Sequence, residues 1–221
     1  MTSLYKIVFD NHYFVIVDKS PLVLSVPSRE GASESRPVLG QLLEKDLNCK
    51  IFPVHRLDYE VSGLIMYAKT PEAHKIANRW FETKEVHKTY LALSKQNDLN
   101  DVHHFSLNEK YFWKCKLLRG KKRAYESPHG KESLTEARVD FIDKEKGIFH
   151  WELNPITGRS HQLRFELFRH GHPIIGDELY SSTEHFHLRG IALRSYKIQF
   201  NQSSEAHKFH LPEIVELEKK F

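Results

Sequence analysis

The stretch VHRLDYEVSGLIMYAKT, residues 54–70, sets Arg56, Asp58 and Glu60 among apolar residues and small turn formers, and NPITGRSHQLRFEL, residues 154–167, repeats that character. Ionisable residues set in apolar surroundings are what a carboxylate and an arginine facing each other across a cleft require, so the pair argues for chemistry rather than a solvated surface. Asp58 is the candidate reactive group. Ile51, Phe52 and Val54 deliver it at the end of an apolar, strand-like approach, and Ser62 with Gly63 offers a turn before LIMYA resumes strand character. Taken alone, Asp58 reads first as a turn residue or a structural ion-pair partner. Arg56, Tyr90, Arg159 and Arg164 raise the catalytic reading, because they offer it ion-pairing and ring-binding neighbours.

Outward from this stretch, YKIVFDNHYFVIVDK (residues 5–19) predicts two short strands around an Asp-Asn turn, with Pro21 and Pro27 breaking any longer ladder. Residues 28–35 are small and polar, and Leu39, Leu42 and Leu43 predict a helix over residues 37–44. A second helix is expected over residues 71–85, with Pro71 in its first turn and an apolar stripe of Ala73, Ile76, Ala77, Trp80 and Phe81. KTYLAL (88–93) alternates as a strand that turns Tyr90 to one side. Residues 94–110 read as a polar excursion, LTEARVDFI (134–142) and GIFHWEL (147–153) as strands, and IALRSYKIQF (191–200) as the terminal strand. HQLRFELFRHG is too short an apolar run to choose between strand and helix. The final HLPEIVELEKKF reads as a packed end with a charged tail.

The 221 residues suffice for one substantial core, as a single domain or as two small lobes around a cleft. With 33 Lys plus Arg against 29 Asp plus Glu, the formal charge is only +4, so any nucleic-acid argument rests on local distribution. The strongest local candidate is YFWKCKLLRGKKRAY (111–125), where Lys121, Lys122 and Arg123 could grip phosphates. A solvated basic loop with its aromatics turned inward explains the same pattern. Cys49 and Cys115 form neither a CxxC pair nor a secreted framework. No apolar run reaches bilayer length and the N-terminus lacks a signal-peptide core, so the expected location is cytoplasmic, with no membrane partner. His185 and His187, with His55 or His161, invite a zinc reading, but no HExxH or close ligand set accompanies them. No GxGxxG or GK[ST] cradle is present either. Neither a metal nor a nucleotide cofactor is expected.

VHRLDYEVSGLIMYAK, KTYLAL, GRSHQLRFEL and GHPIIGDELY, in that order, resemble the RluA-like family of RNA pseudouridine synthases, and the resemblance spans roughly Tyr5 through Phe200. It implies an isomerase converting selected uridines of rRNA or tRNA to pseudouridine. The implied fold is α+β over a single catalytic domain, residues 1–221, with a large, predominantly antiparallel mixed sheet, flanking helices and a central cleft. Asp58 then matches the catalytic aspartate and Arg56 a residue associated with accommodating the flipped nucleotide. Tyr90 resembles the tyrosine that packs on uracil, Arg164 the basic partner of the aspartate and Leu163 an apolar pocket residue, with His161 supporting the motif.

The chain departs from the family pattern at three places: KSPL (19–22) stands for KPxG, Val61 for a frequent threonine, and ALR (192–194) for LHA. Because the resemblance begins near the first residue, no N-terminal S4-type domain is expected, and the enzyme is expected to act as a monomer. The implied chemistry flips uridine from its stack, breaks N1–C1′, turns the retained uracil, joins C5 to C1′ and removes the C5 proton. Asp58 would attack C1′ directly or act through a glycal-like intermediate; both routes stay open. Two rivals remain: a catalytically silent RNA-binding domain, and a glycosidase releasing free uracil, for which Glu60 would be the second carboxylate.

Overall fold

The computed structural model describes residues 3–28, 34–96 and 104–221. The polar stretch at 28–35 and the excursion at 94–110 therefore lie partly outside the described residues. The chain divides into two compact units, one formed by Met1–His87 with Ser195–Lys220 and the other by Lys88–Arg194 with Phe221.

In the first unit, β1 (Tyr5–Asp10) and β2 (Phe14–Lys19) pair antiparallel, as their β-branched and aromatic content predicts. The turn between them is organised by Asn11, whose side-chain oxygen accepts from the main-chain N–H groups of Tyr13 and Phe14, both at 2.8 Å. β4 (Ser62–Ala68) lies antiparallel on the other side of β2, with Ile16 opposite Met66, and β3 (Phe52–Pro53) pairs with the end of β4. β10 (Leu193–Phe200) extends the order to β1-β2-β4-β10. Both β2 and β4 are buried on both faces, which is why they read as nearly continuous apolar runs.

α1 (Leu39–Leu47) and α2 (Pro71–Glu82) are the helices of this unit. α2 starts where Thr70 caps Ala73 N–H through its hydroxyl at 3.1 Å, and it stops three residues short of the expected end. Its stripe of Ala73, Ala77 and Trp80 packs on Phe14, Met66 and Phe200. Two expectations are corrected here. Ser62 and Gly63 belong to β4, the turn being made earlier, where Val61 N–H donates to the Asp58 carbonyl at 3.2 Å. And β10 is not terminal: β11 (Ile214–Glu216), inside the packed end, pairs antiparallel with it.

The second unit is an antiparallel sheet, with β5 (Val86–Lys95), β6 (Lys110–Arg119), β7 (Ala124–Glu126), β8 (Lys131–Asp143) and β9 (Ile148–Pro155) in the order β5-β9-β8-β6-β7. Alternation on β6 buries Trp113, Cys115 and Leu117 while Phe112, Lys114 and Lys116 face outward, as period two demands. Gln162–Arg169 is a helix, α3. Phe165 of α3 joins Cys115, Leu117, Ala124 and Tyr180 in a local core.

Candidate active site

The Asp58 loop belongs to the first unit and is fastened from three directions. His55 accepts the Met66 N–H at its Nε2 (3.0 Å) and stacks on Phe81 at a centroid separation of 5.0 Å, tying the loop to β4 and α2. Leu57 is buried, and Ser25 satisfies both its main-chain groups: Ser25 Oγ accepts from Leu57 N–H at 3.0 Å and donates to the Leu57 carbonyl at 2.9 Å. The third fastening is Lys19, fully buried, whose ammonium donates to the carbonyls of Ser20 (3.0 Å), Val23 (2.9 Å) and Tyr59 (3.4 Å). Burial pulls the Lys19 pKa down to about 7, while the charges of Asp58, Glu60 and Asp18 pull it back up. Asp58 and Glu60 thus sit beside a buried cation. Asp58 itself is half-buried and Arg56 exposed.

The KSPL departure acquires a geometric meaning here. Leu22 holds φ of 62°, a left-handed conformation for which the glycine of KPxG is the less strained choice. Its N–H donates to the Tyr59 carbonyl at 2.7 Å, so the chain keeps the geometry with a bulkier residue.

In the second unit, Tyr90 is buried on β5 opposite Leu153 of β9. Leu163 and Arg164 are buried in the first turn of α3. Arg164 forms a two-point pair with Asp177, Nε to Oδ2 at 2.7 Å and Nη2 to Oδ1 at 2.8 Å, with the side chains 2% and 1% exposed. Two parallel charge-assisted bonds in a buried setting fix the guanidinium plane, which also lies 5.5 Å from the Tyr180 ring centroid. His161 stands left-handed (φ 57°) at the start of α3, with Nδ1 3.2 Å from Tyr180 Oη. That hydroxyl accepts from Ala124 N–H at 2.8 Å, tying α3 to the turn end of the β6–β7 hairpin.

Arg159 is exposed. Its Nε donates to the Glu132 carbonyl at 2.8 Å and its N–H to Gln162 Oε1 at 3.0 Å. Buried Gln162 also accepts from Thr157 Oγ1 at 2.8 Å and donates to Thr135 Oγ1 at 2.8 Å, so one amide shapes the TGRSHQ loop. Lys121, Lys122 and Arg123 are exposed at the hairpin tip, closed by Gly120 N–H donating to the Arg123 carbonyl at 3.0 Å. Arg123 lies 5.8 Å from the Phe168 ring centroid.

The structure thus places Asp58 and Arg56 in the first unit and Tyr90, Arg159, His161, Leu163, Arg164 and the basic hairpin in the second. Sequence reasoning assigned no role to Lys19, Ser25 or Asp177. The signals were faint: a lysine closing an apolar strand, and the GD step inside GHPIIGDELY. Among the described residues no group of three or more His, Cys, Asp and Glu could hold a metal ion. No described helix is long and apolar enough to cross a membrane.

Taken by itself, the first unit offers a carboxylate on a loop pinned to a buried cation; the second, by itself, offers an aromatic strand residue, a locked arginine and a basic hairpin. A profile of the RNA pseudouridylate synthase family matches residues 13–169. The dual-specificity RNA pseudouridine synthase RluA of Yersinia pestis is 34% identical over 182 residues, 80% of this chain and 82% of that protein. The RNA pseudouridine synthase YhcT of Bacillus subtilis is 29% identical over 204 residues, 87% of this chain and 63% of its own length. In three dimensions, human RNA pseudouridylate synthase domain containing 1 superposes with a TM-score of 0.69 at 21% identity, covering 98% of this chain and 83% of that one, which shows the shared α+β fold. The chain belongs to the RNA pseudouridylate synthase family, in its RluA-like group, and is an RNA-modifying isomerase.

Proposed function

We propose that the protein converts a specific uridine of rRNA or tRNA to pseudouridine with Asp58 as the catalytic aspartate, both units serving one catalytic domain. The observation that carries this is the fastening of the Asp58 loop: a buried lysine and the Ser25 hydroxyl hold its main chain, and Asp58 itself is half-buried. Such preorganisation suits a group that must meet C1′ of a flipped nucleotide.

In this reading Arg56 accommodates the flipped nucleotide, Tyr90 stacks on the uracil and limits its escape, and Leu163 lines the pocket. Arg164, its plane fixed by Asp177, is the basic partner of the Asp58 carboxylate. Asp58 attacks C1′ or promotes the glycal-like route; the uracil detaches, turns and rejoins through C5, and the C5 proton leaves. His161 and Arg159 support the loop around α3, and Lys121, Lys122 and Arg123 contact phosphates. The reading needs no cofactor or metal and takes the enzyme as a cytoplasmic monomer. The relatives' dual-specificity name supports searching more than one RNA class.

The test compares pseudouridine, position by position, in total RNA from cells lacking the protein and cells restored with wild type or Asp58→Asn. We expect loss at a defined site, restored by wild type alone, and a drop of at least about a thousandfold in the purified variant's rate. Restoration by folded Asp58→Asn would remove Asp58 from its role; free uracil as product would point to the glycosidase.

A further inference from the structure

One residue beyond Asp58, the ring of Tyr59 carries the guanidinium of Arg36 at 5.2 Å from its centroid. Arg36 is held there by Glu34 in a tight local clasp. Its Nε donates to Glu34 Oε1 at 2.7 Å, its Nη2 to Oε2 at 2.6 Å, and its main-chain N–H to Oε1 at 3.0 Å. The Tyr59 end is equally fixed, because its carbonyl accepts from Leu22 N–H and from Lys19. A planar cation locked on an aromatic ring therefore stands beside the proposed catalytic residue. The Arg36 side chain keeps 38% of its surface, against 6% for Glu34, so the carboxylate is the buried member of the clasp.

We propose that Arg36 and Tyr59 form a stacking shelf for the nucleobase adjacent to the flipped uridine, and so set the enzyme's preference for that neighbour. The inference rests on Asp58 being the reacting group, which Tyr59 follows in the turn closed by Val61 N–H on the Asp58 carbonyl. Charge separates stacking from phosphate binding: the Glu34 carboxylate pairs with the Nε and Nη2 edge of Arg36 and offsets its charge, which makes the pair a poor phosphate site, whereas guanidinium and aromatic planes both stack on bases. Stacking discriminates bases by area rather than by hydrogen-bond pattern, so purines should be preferred over pyrimidines at this position.

The experiment uses a library of RNA hairpins with one loop uridine and randomised neighbours, with conversion read for each sequence. Wild type should show a purine preference at one adjacent position. Arg36→Ala and Tyr59→Leu should flatten it by about tenfold, the scale of one lost stack. Tyr59→Phe, which keeps the ring, should retain the preference. Arg36→Lys, which keeps the charge but not the plane, should lose it. The salt dependence of binding should stay as in wild type. Three results would overturn the shelf: a uniform drop for all neighbours, which marks a purely structural clasp; a reduced salt slope, which marks a phosphate contact; or an unchanged profile. If wild type converts no member, the proposed function falls and the shelf with it, whereas active wild type with unaltered variants sinks the shelf alone.

Discussion

Lys19 shows how much a single residue contributes without touching substrate. Its three acceptors are main-chain carbonyls, so Lys19→Met would leave those of Ser20 and Val23 without this donor, while that of Tyr59 keeps the Leu22 N–H. At about 1–3 kcal/mol for the most costly orphaned group, with relaxation offsetting the rest, we expect a loss of about 1–3 kcal/mol in urea unfolding. The charge has its own signature. Because burial lowers the folded pKa to about 7, below the ordinary lysine value, the unfolded chain binds more protons between pH 7 and about 10. Lys19 therefore penalises folding below pH 7 and the penalty fades as pH rises through that window. Wild type should gain stability relative to Lys19→Met from pH 6.5 to 9; parallel curves would show that the ammonium is not desolvated as described. Asp58 could be singled out from its sequence neighbourhood because chemistry of that kind concentrates in a few adjacent residues. Lys19 and Asp177 could not, because their roles come from burial and from partners distant in the chain.

At the scale of elements, the β6–β7 hairpin and β4 each carry a prediction. Neutralising Lys121, Lys122 and Arg123 together should weaken RNA binding and lower the salt slope by about 2, near 0.7 for each lost contact with single-stranded RNA. An unchanged slope would return the tip to a solvated loop. Gly63 sits in β4 with φ of 107°, and a Cβ there would run into the Ser195 backbone of β10. Gly63→Ala should thus cost roughly 3 kcal/mol or more, read as a fall in thermal midpoint. The same fact explains why Ser62 and Gly63 read as a turn from sequence: glycine marks turns and close backbone approaches alike, and only the neighbouring strand tells them apart. α3 was ambiguous for a related reason. Every residue from Gln162 through Leu167 is buried, so neither a period of two nor one of 3.6 stands out.

Over the whole molecule, the formal charge of +4 carries little information, whereas its placement carries much: cations cluster at an exposed hairpin tip, and single cations are buried at Lys19 and Arg164. The amino-acid sequence by itself determined the first two strands, α2, the strands β5, β8 and β9 and the ordered motifs of a pseudouridine synthase, whereas the β6–β7 stretch read only as basic and aromatic. Each is written in residues within about a dozen positions, where turn chemistry and periodicity act directly. Tertiary structure alone decided that Lys19 is a buried tether, that Arg164 is locked by Asp177, that Gly63 permits a close strand approach, that Leu22 is held left-handed, and that Arg36 rests on Tyr59. These depend on which distant groups meet and on how completely water is excluded, and no local pattern encodes either.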